Sequence, residues 1–480
     1  MTTANPLLSR KQQVLGQCET SQGTAETLRA NDGIARIIVG AAAEYNAPRE
    51  KRDLARKSLT PIGNLESTKA VNVSFRSEVN TPDTFSKVAT AQIDAIAYDS
   101  GNIVKVTFDS GVDLSEVNYG EYLTINYCSL TVHNGTHKIY DVDDSSHFLY
   151  VVNRNVTNNS TNISGSDIAK GDVQTNLDYG WALEACSCKL LGAMRIPIGA
   201  ITVSSFQRNE TITGGVSGAT GRVLKAEVNG AAYLYFEPTS ATPFDGSEEV
   251  TGGTSGAKAT MTDDPAVYGY HVKPVSENQE MATLALQQDG FEFKARSAMG
   301  NFTLEAQANR AGFLDFAFQG PRQSIGDVAM LDVTRDNEDP PILKNAELTL
   351  GGSFTPVFKN FAMDCGNEVI LRENGNATGD TGYETARIVA RESKVTINCE
   401  HELAATYDFF GTLDAGTKTS LSLHLGGTVG KQFYYFADEL EFDALPIEDQ
   451  DGIVGLALSA MCTGDLGNTG DDDDWEMLFI

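Results

Sequence analysis

The chain has 480 residues, of which 41% are apolar, and this is enough for two to four domains with buried cores. Its 36 Lys and Arg residues are outnumbered by 65 Asp and Glu residues, which gives a formal charge of −29 and an isoelectric point near 4.5. Such a surface repels phosphate groups, so the composition argues against a protein that grips nucleic acid but permits a surface along which DNA slides without sticking.

The cysteine content and hydropathy indicate a cytosolic setting. Seven cysteines without a regular spacing predict reduced thiols rather than disulfides. No apolar run approaches the ~18 residues that a transmembrane helix needs. The opening MTTANPLLSRKQQ lacks the apolar core of a signal peptide, so export by that route is not expected.

The first part of the chain predicts an arm followed by a strand. Residues 1–60 suggest short helical or irregular pieces, and the charged segment PREKRDLARKSL (48–59) suggests an exposed arm. In AVNVSFRSEV (70–79), the apolar residues Val71, Val73 and Phe75 alternate with polar ones, which predicts a strand. We therefore assign residues 1–84 to an N-terminal arm and the first strands of a main domain.

A different pattern begins at residue 85. Short strands follow at even spacing (AQIDAIAY, IVKVTF, YLTINY, THKIYDV and HFLYVVN), as is typical of a small β-barrel or sandwich. Residues 85–170 are therefore predicted to form an inserted β module, with the polar segment 155–167 as a loop. Within residues 171–206, which return to the main domain, the apolar spacing of LDYGWALEACSCKLLGA (177–193) predicts one flanking helix.

An internal repeat follows. ETITGGVSGATGRV (210–223) returns as EEVTGGTSGAKATM (248–261). The glycine-rich loops lack the Gly-Lys-Ser/Thr ending of a phosphate-binding loop, and no helix follows them, so they predict tight turns in two duplicated hairpins. Residues 207–264 are predicted to be a second inserted β module.

Residues 265–480 predict long hairpins and C-terminal strands of the main domain. The clearest hairpin is GNFTLEAQANRAGFLDFAFQG (300–320), with a turn at 309–312. Because strand side chains alternate between two faces, one face carries Phe302, Leu304, Leu314, Phe316 and Phe318. The other face carries Thr303, Glu305, Gln307, Asp315 and Gln319. The predicted fold class is mainly β: a sandwich or barrel with long hairpins and one flanking helix, plus two small inserted β modules.

No motif in the sequence predicts an enzyme. The histidines form no metal-binding pair, Cys186-Ser187-Cys188 lacks metal or redox spacing, and a Gly-x-Ser-x-Gly elbow and a dinucleotide fingerprint are missing. The acidic segment 448–452 lacks the ligand spacing of a calcium loop, and the run 471–474 predicts a solvated face. We therefore expect no catalytic residues, no cofactor and no metal.

Seven segments, taken in their order along the chain, carry a resemblance to one known family. They are SLTPIGNLESTKAVNVSFRSEV (58–79), YGWALEACSCKLLGA (179–193), residues 289–320, NFAMDCGNEVILREN (360–374), ARIVARESKVTI (386–397), DQDGIVGLALSAM (449–461) and DDDDWEMLFI (471–480). This ordered set resembles the major tail tube protein of bacteriophages with long non-contractile tails. It covers somewhat over half of the chain, and its order is more specific than any one segment. The modules at about 85–170 and 207–264 are additional to a minimal tube subunit.

The resemblance implies a structural virion protein, assembled in the host cytoplasm, that forms stacked homohexameric rings. In such a tube, hairpins from six copies join into one barrel, and an acidic lumen conducts viral DNA during ejection. The polar row of the 300–320 hairpin would line the lumen, and residues 1–57 and 320–345 would contact the next ring. Implied partners are further copies, the passing DNA without specific binding, and the tail terminator, tape measure and tail-tip proteins, without membrane insertion.

A second interpretation stays open from the sequence. The chain is then a tail-tip, fibre or decoration protein whose inserted β modules bind glycans or proteins on the host surface. Aromatic residues of the first module would stack on sugars, although core and cross-strand packing explains such residues equally. These residues are Tyr119, Tyr122, Tyr127, Tyr140, Phe148 and Tyr150.

Overall fold

A computed structural model describes most of the chain as two compact units. The described residues are 8–52, 63–80, 86–156, 158–175, 177–227, 232–333, 340, 342, 346–376, 381–428, 431–464 and 472–480. They are mainly β, as the sequence predicts. The first unit comprises Met1–Thr81, Asp178–Lys189 and Lys273–Met477, and the second comprises Pro82–Leu177, Leu190–Val272 and Leu478–Ile480.

Strands follow one another along most of the described chain. In order they are β1 (Gln12–Cys18), β2 (Ala42–Asn46), β3 (Arg49–Glu50), β4 (Leu65–Glu66), β5 (Ala70–Glu78), β6 (Ser86–Ser100), β7 (Ile103–Phe108), β8 (Tyr122–Asn126), β9 (Gly135–Asp143), β10 (Phe148–Val152), β11 (Ile163–Gln174), β12 (Cys188–Ile198), β13 (Thr211–Gly214), β14 (Thr220–Glu227), β15 (Ala232–Pro238), β16 (Glu249–Gly252), β17 (Lys258–Thr260), β18 (Ala266–Pro274), β19 (Ala282–Gln288), β20 (Phe291–Gln307), β21 (Gly312–Asp327), β22 (Glu347–Leu350), β23 (Phe358–Asp364), β24 (Asn367–Glu373), β25 (Tyr383–Arg391), β26 (Lys394–Glu400), β27 (Thr419–Thr428), β28 (Lys431–Ala444), β29 (Ile447–Gln450), β30 (Ile453–Cys462) and β31 (Glu476–Phe479). The α-helices are α1 (Gly180–Glu184) and α2 (Phe409–Ala415), and single 3₁₀ turns lie at Ala30–Asp32, Thr131–His133, Asp144–Ser146 and Asn159–Thr161.

The first unit contains an antiparallel sheet that we call the main sheet. Its strand order is β2-β5-β21-β20-β23-β26-β30-β29, and β28 pairs with the end of β30 that β29 leaves free. The long hairpin β20–β21 lies at its centre, because β5 pairs along β21 and β23 pairs with the end of β20 near the turn. Further along β20, β19 pairs with it in place of β23, and β1 pairs with β19.

One face of the main sheet packs into the core of the first unit, and we call it the packed face. Phe75 of β5 stacks on Phe316 of β21 with 5.1 Å between ring centroids, and Phe302 of β20 meets Trp475 edge-on at 5.8 Å. Offset and edge-on arrangements are the favourable geometries for aromatic pairs. The same alternation continues through β23, β26 and β30, where Phe361, Val395, Ile397, Leu456 and Leu458 are buried.

The second unit contains a closed six-stranded barrel with the order β10-β7-β6-β11-β8-β9. Closure leaves the barrel without an open sheet edge. Its interior is filled by aliphatic side chains and Phe108, among them Ile93, Val106, Leu123 and Leu149. The chain enters and leaves the barrel side by side, since Ser86 pairs with Gln174.

The TGGxSGA repeats form two hairpins that exchange a glutamate. Strands β13 and β16 pair antiparallel, with Thr213 opposite Thr251. Glu248 of the second repeat accepts hydrogen bonds from the amides of Val216 and Ser217, at 2.8 and 2.9 Å, in the first repeat's turn. Glu210 of the first repeat accepts them from the amides of Thr254 and Ser255, at 3.1 and 2.9 Å, in the second. We call this arrangement the glutamate exchange.

The exchange explains the glycine pair in each repeat. A Cβ atom on Gly214 would lie 2.5 Å from a carboxylate oxygen of Glu248, and one on Gly252 would lie 2.6 Å from a carboxylate oxygen of Glu210. Side-chain atoms do not approach a Cβ that closely, so only glycine allows the carboxylate to reach the turn. The second glycine of each pair donates its amide across to the other hairpin.

The helix predicted over 177–193 is largely wrong. Only Gly180–Glu184 is α-helical, Ser187 has a left-handed φ of 61°, and the chain continues as the strand β12. The apolar spacing here also suits a strand that is buried in places on both faces, and pairing of β12 with β15 selects the strand. The sequence analysis does not predict the helix α2, whose first turn Asp408 caps by accepting a hydrogen bond from the Gly411 amide at 2.8 Å.

The N-terminal prediction is wrong at β1. Every residue of Gln12–Cys18 is buried, and the strand pairs with β19 instead of forming an irregular arm. Its mixed QQVLGQC sequence has no clean period of two, so tertiary pairing decides its structure.

The predicted loop 155–167 is also wrong in its second part, because the strand β11 begins at Ile163. Residues 53–59 of the charged segment, 1–7, 334–339, 341 and 343–345 of the predicted ring contacts, and Asp471 lie outside the described residues.

Candidate functional site

The hairpin β20–β21 separates its two rows of side chains cleanly. Phe302 pairs with Phe316 and Leu304 with Leu314, and these four side chains and Phe318 are buried on the packed face. The opposite face of the main sheet, which we call the open face, carries the polar row. This separation follows from the alternation of strand side chains.

Three charged residues form a network on the open face. Arg76 of β5 donates from Nε to Asp315 at 2.6 Å and from a terminal nitrogen at 2.5 Å, and it reaches Glu305 at 2.8 Å. The hydrogen bond to Asp315 raises the pKa of the Arg76 guanidinium. Because these side chains remain partly exposed, the network orients the three groups more than it stabilises the fold.

The structure does not keep all five predicted lumen residues on one surface. Thr303 lies opposite Asp315 on the open face, and Glu305 and Gln307 are exposed there. Gln319 instead lies beneath the two-stranded hairpin β24–β25, where its amide donates to the Val369 carbonyl at 2.5 Å. The sequence shows the alternation of Gln319 but not the hairpin that covers it.

Most residues of the open face are small and neutral or acidic, with Phe313, Ile453 and Met461 interspersed among them. Neutral positions include Ser74, Ala317, Asn360, Thr396 and Ser459. Eight acidic residues share the face with two basic ones, Arg76 and Lys394. The acidic residues, placed by the strand registers, are Glu44, Glu78, Glu305, Asp315, Asp364, Glu400, Glu441 and Glu448.

The sequence prediction missed most of these open-face residues, although a signal for them exists. In AVNVSFRSEV and KVTINCE, every second residue is polar, and those residues lie on the open face once the registers are known. A shallow cleft of about 550 Å³ also opens on this face between Ile38–Gly40 and the strands carrying Arg76, Thr303 and Asp315.

The long edges of the hairpin are occupied within the chain. β21 pairs with β5 on its outer side, while β20 pairs with β23 and β19. The expectation that this hairpin itself pairs with a neighbouring copy is therefore wrong at these edges, because their backbone hydrogen bonds are already used. Among the described strands, β2 pairs only with β5 and β29 only with β30, so each forms an outer edge of the main sheet. On the side of β30 that β29 occupies, β28 pairs with the other end, where Leu440 lies opposite Cys462, so β29 is the outer strand along Ile453–Leu456.

The groups considered for metal chemistry have structural contacts. His133 and His137 direct ring nitrogens at backbone carbonyls, each at 2.8 Å. Asp472 and Asp474 bind Arg391 at 2.8 and 3.2 Å. Burial raises the pKa of the Cys186 thiol. Within the described ranges, no group of three or more His, Cys, Asp or Glu side chains is arranged to hold a metal ion.

Comparisons with known proteins provide no family for this chain. No protein-family profile and no curated protein sequence matches it. In the part of the chain that the structure describes, no helix has both the length and the apolar character needed to cross a bilayer.

Proposed function

We propose that this protein is a structural tube subunit: copies join side by side into rings, rings stack, and the open face lines a channel that conducts viral DNA. The observation that supports it most is the open face itself. A sheet eight strands wide presents mainly small neutral and acidic side chains on one face and buries the central part of the other.

The charge of the open face suits passage of DNA. Eight carboxylates against two cations repel phosphate groups, so a duplex in the channel meets few sites that retain it. Arg76 is held between Asp315 and Glu305, which reduces its attraction for phosphate.

Electron microscopy of the purified full-length protein tests assembly. We expect hollow rods in negative stain, at protein concentrations and salt conditions that favour association. Isolated monomers at every concentration and salt would contradict the proposal.

A pair of lysine substitutions tests which face lines the channel. Thr303→Lys with Thr396→Lys adds two cations to the open face, and we expect the rods to retain added DNA at a salt concentration where wild-type rods do not. The matched control places lysines on exposed serines of the barrel, Ser115→Lys with Ser146→Lys. Equal retention by both variants would show that the open face does not line the channel.

The alternative, a tail-tip, fibre or decoration protein, draws support from the outside of the barrel. Tyr140 is exposed there, and the Lys105 ammonium lies 3.4 Å from the ring centroid of Phe148. Tyr122, in contrast, is buried against Tyr270. Exposed aromatic rings beside a cation are suited to stacking on sugars.

Deleting the barrel separates the two functions. Because Ser86 and Gln174 are neighbours, a short linker can replace the residues between them. If the barrel is decoration, rods form without it and only surface binding is lost. Loss of rods by a folded deletion variant would place the barrel in the tube wall.

A further inference from the structure

The two outer strands of the main sheet are suited to meet each other in neighbouring copies. Seven successive antiparallel pairings lead from β2 to β29, so these strands run in opposite directions. Copies in a ring are related by rotation about the ring axis, and when that axis runs roughly along the strands, the rotation leaves the strand directions unchanged. In a ring, β2 of one copy would therefore lie antiparallel to β29 of the next, and the sheet would continue without a change of pattern.

Both outer strands expose apolar side chains. On β2, Tyr45 is 40% exposed, and on β4, whose partner β3 follows β2 in the chain, Leu65 is 51% exposed. On the β29–β30 hairpin, Ile447 is 64% exposed and Val454 is 56% exposed. Monomeric sheet proteins protect such edges with Lys, Pro or a covering element, so this exposure favours a partner that adds a strand.

The charges beside the two edges are of opposite sign. After β2 come three exposed basic residues and Glu50, while β2 itself carries Glu44. The basic residues are Arg49, Lys51 and Arg52. The strand segment that includes β29 carries exposed acidic residues, and Lys359 pairs with one of them at 3.4 Å. These acidic residues are Glu441, Asp443, Glu448, Asp449 and Asp451. In a chain of charge −29, a second copy is thus a partner with a matching basic edge.

The offset between the two edges matches the tilt of a closed barrel. Positions along the two edges can be compared by following the strand registers to β20. Ala42 of β2 lies level with Asn301 of β20. At the other edge, Ile447 of β29 pairs with Leu456, and the adjacent Ala457 lies level with Gln307 of β20. The centres of β2 and β29 are thus about ten residues apart along the strands, or about 33 Å. Eight strands span about 38 Å, and the ratio corresponds to a tilt of about 40°, as in closed barrels.

The width of the sheet limits the number of copies. At that tilt each copy contributes about 50 Å of circumference, so three copies give a backbone diameter of about 48 Å and a bore of about 40 Å between side chains. Two copies leave a bore of only about 20–25 Å, hardly wider than a DNA duplex, and six give a diameter near 100 Å. A ring of three thus encloses DNA with modest clearance.

We propose that β2 of one copy pairs with β29 of the next and that three copies close the ring, an inference that rests on the proposed tube function. The partner of each edge is therefore a second copy of this chain. The ring contains three copies in place of the six that the resemblance implies, because each copy supplies eight strands to the wall.

Disulfide trapping tests both parts of the inference. Ala43→Cys is combined in turn with a cysteine at each position of β29, and assembled protein is oxidised and run on a denaturing gel without reductant. The native cysteines are buried, so they leave the background low. We expect at least one combination to give bands of two and three copies, ending at three times the 51.6 kDa chain mass. The single variants and Ala43→Cys with Ile370→Cys are the controls.

The outcomes separate this inference from the proposed function. A ladder that continues to six copies would overturn the ring of three. Hollow rods without any cross-link would overturn the pairing of β2 with β29 while leaving the tube function standing. Monomers alone, by microscopy and sedimentation, would overturn the tube function itself and the inference with it.

Charge reversal provides an independent measurement. Lys51→Glu with Arg52→Glu is expected to slow assembly at least tenfold at low salt, and Glu448→Lys with Asp449→Lys in the same chain is expected to restore it. Failure of the second pair to restore assembly by a folded protein would contradict the matched edges.

Discussion

Replacing Glu248 by alanine should loosen a turn in the other repeat, not its own. The Glu248 carboxylate accepts hydrogen bonds from the amides of Val216 and Ser217, at 2.8 and 2.9 Å, and from the Ser217 hydroxyl at 2.6 Å. The turn at Thr254 and Ser255, close to Glu248 in sequence, depends on Glu210 instead. The effect therefore has to cross between the hairpins.

The magnitude follows from the two backbone amides. A hydrogen bond to a charged group contributes about 1.5–3 kcal/mol. The tip of this turn is open to solvent at Val216, so water partly replaces the lost acceptor. We expect the free energy of local opening to fall by about 2–3 kcal/mol, which corresponds to amide exchange about 30–150 times faster.

Hydrogen exchange followed by mass spectrometry measures this effect in the full-length protein. In Glu248→Ala, peptides covering residues 211–224 should exchange faster, while those covering 249–261 should change little. Glu210→Ala is the matched control, and its effect should fall on the second set of peptides. Faster exchange confined to the substituted repeat would refute the glutamate exchange.

The exchange also makes a contribution to stability that depends on pH. Burial of Glu210 and Glu248 raises their pKa values, but the hydrogen bonds to the turns outweigh burial, so both pKa values are lowered. The stabilisation is thus present above the ordinary glutamate pKa of about 4.3 and is lost as the pH falls through the lowered values in the folded protein. Glutamine at both positions should remove this part of the acid sensitivity of the exchange rates.

Three further substitutions have defined outcomes. Gly214→Ala should accelerate exchange in the same peptides as Glu248→Ala, because the added Cβ displaces the carboxylate; unchanged rates would contradict the close approach. Phe316→Ala should lower the free energy of unfolding by about 3–5 kcal/mol in urea titrations, against about 1 kcal/mol for Phe313→Ala on the open face, and equal losses would contradict the two-faced sheet. Burial raises the pKa of Glu19, so the folded state binds the Glu19 proton more tightly than the unfolded state does, and stability falls as the pH rises above about 4.3. Glu19→Gln should flatten this fall when unfolding midpoints are measured against pH. An unchanged pH dependence would contradict a raised pKa for Glu19.

Local sequence patterns predict much of the central hairpin and the repeats. Apolar and polar residues alternate in NFTLEAQ and GFLDFAFQ. Because successive side chains of a strand point to opposite faces, this alternation places all the apolar residues on one face and the polar residues on the other. Phe302 and Phe316 therefore lie on the packed face, and Thr303 and Asp315 on the open face. The repeated glycine pair likewise predicts two tight turns, because few other residues fit where backbone and side chain approach so closely.

Long-range pairing decides what these patterns leave open. Cys188–Ile198 is a strand because β15 lies beside it, although its spacing also suits a helix. Gln319 continues the polar alternation, yet the hairpin β24–β25 covers it. A local pattern records which side chains avoid water, but it contains no information about which distant strand or turn provides the cover.

The sequence by itself determined a mainly β protein, the two faces of its central hairpin and the presence of duplicated turns. Only the tertiary structure decided that the hairpin edges are occupied, that β2 and β29 are the outer strands, and that each glutamate binds the turn of the other repeat. The physical reason is that each of these features joins residues distant in sequence, and their hydrogen bonds form only when the registers of all intervening strands are set.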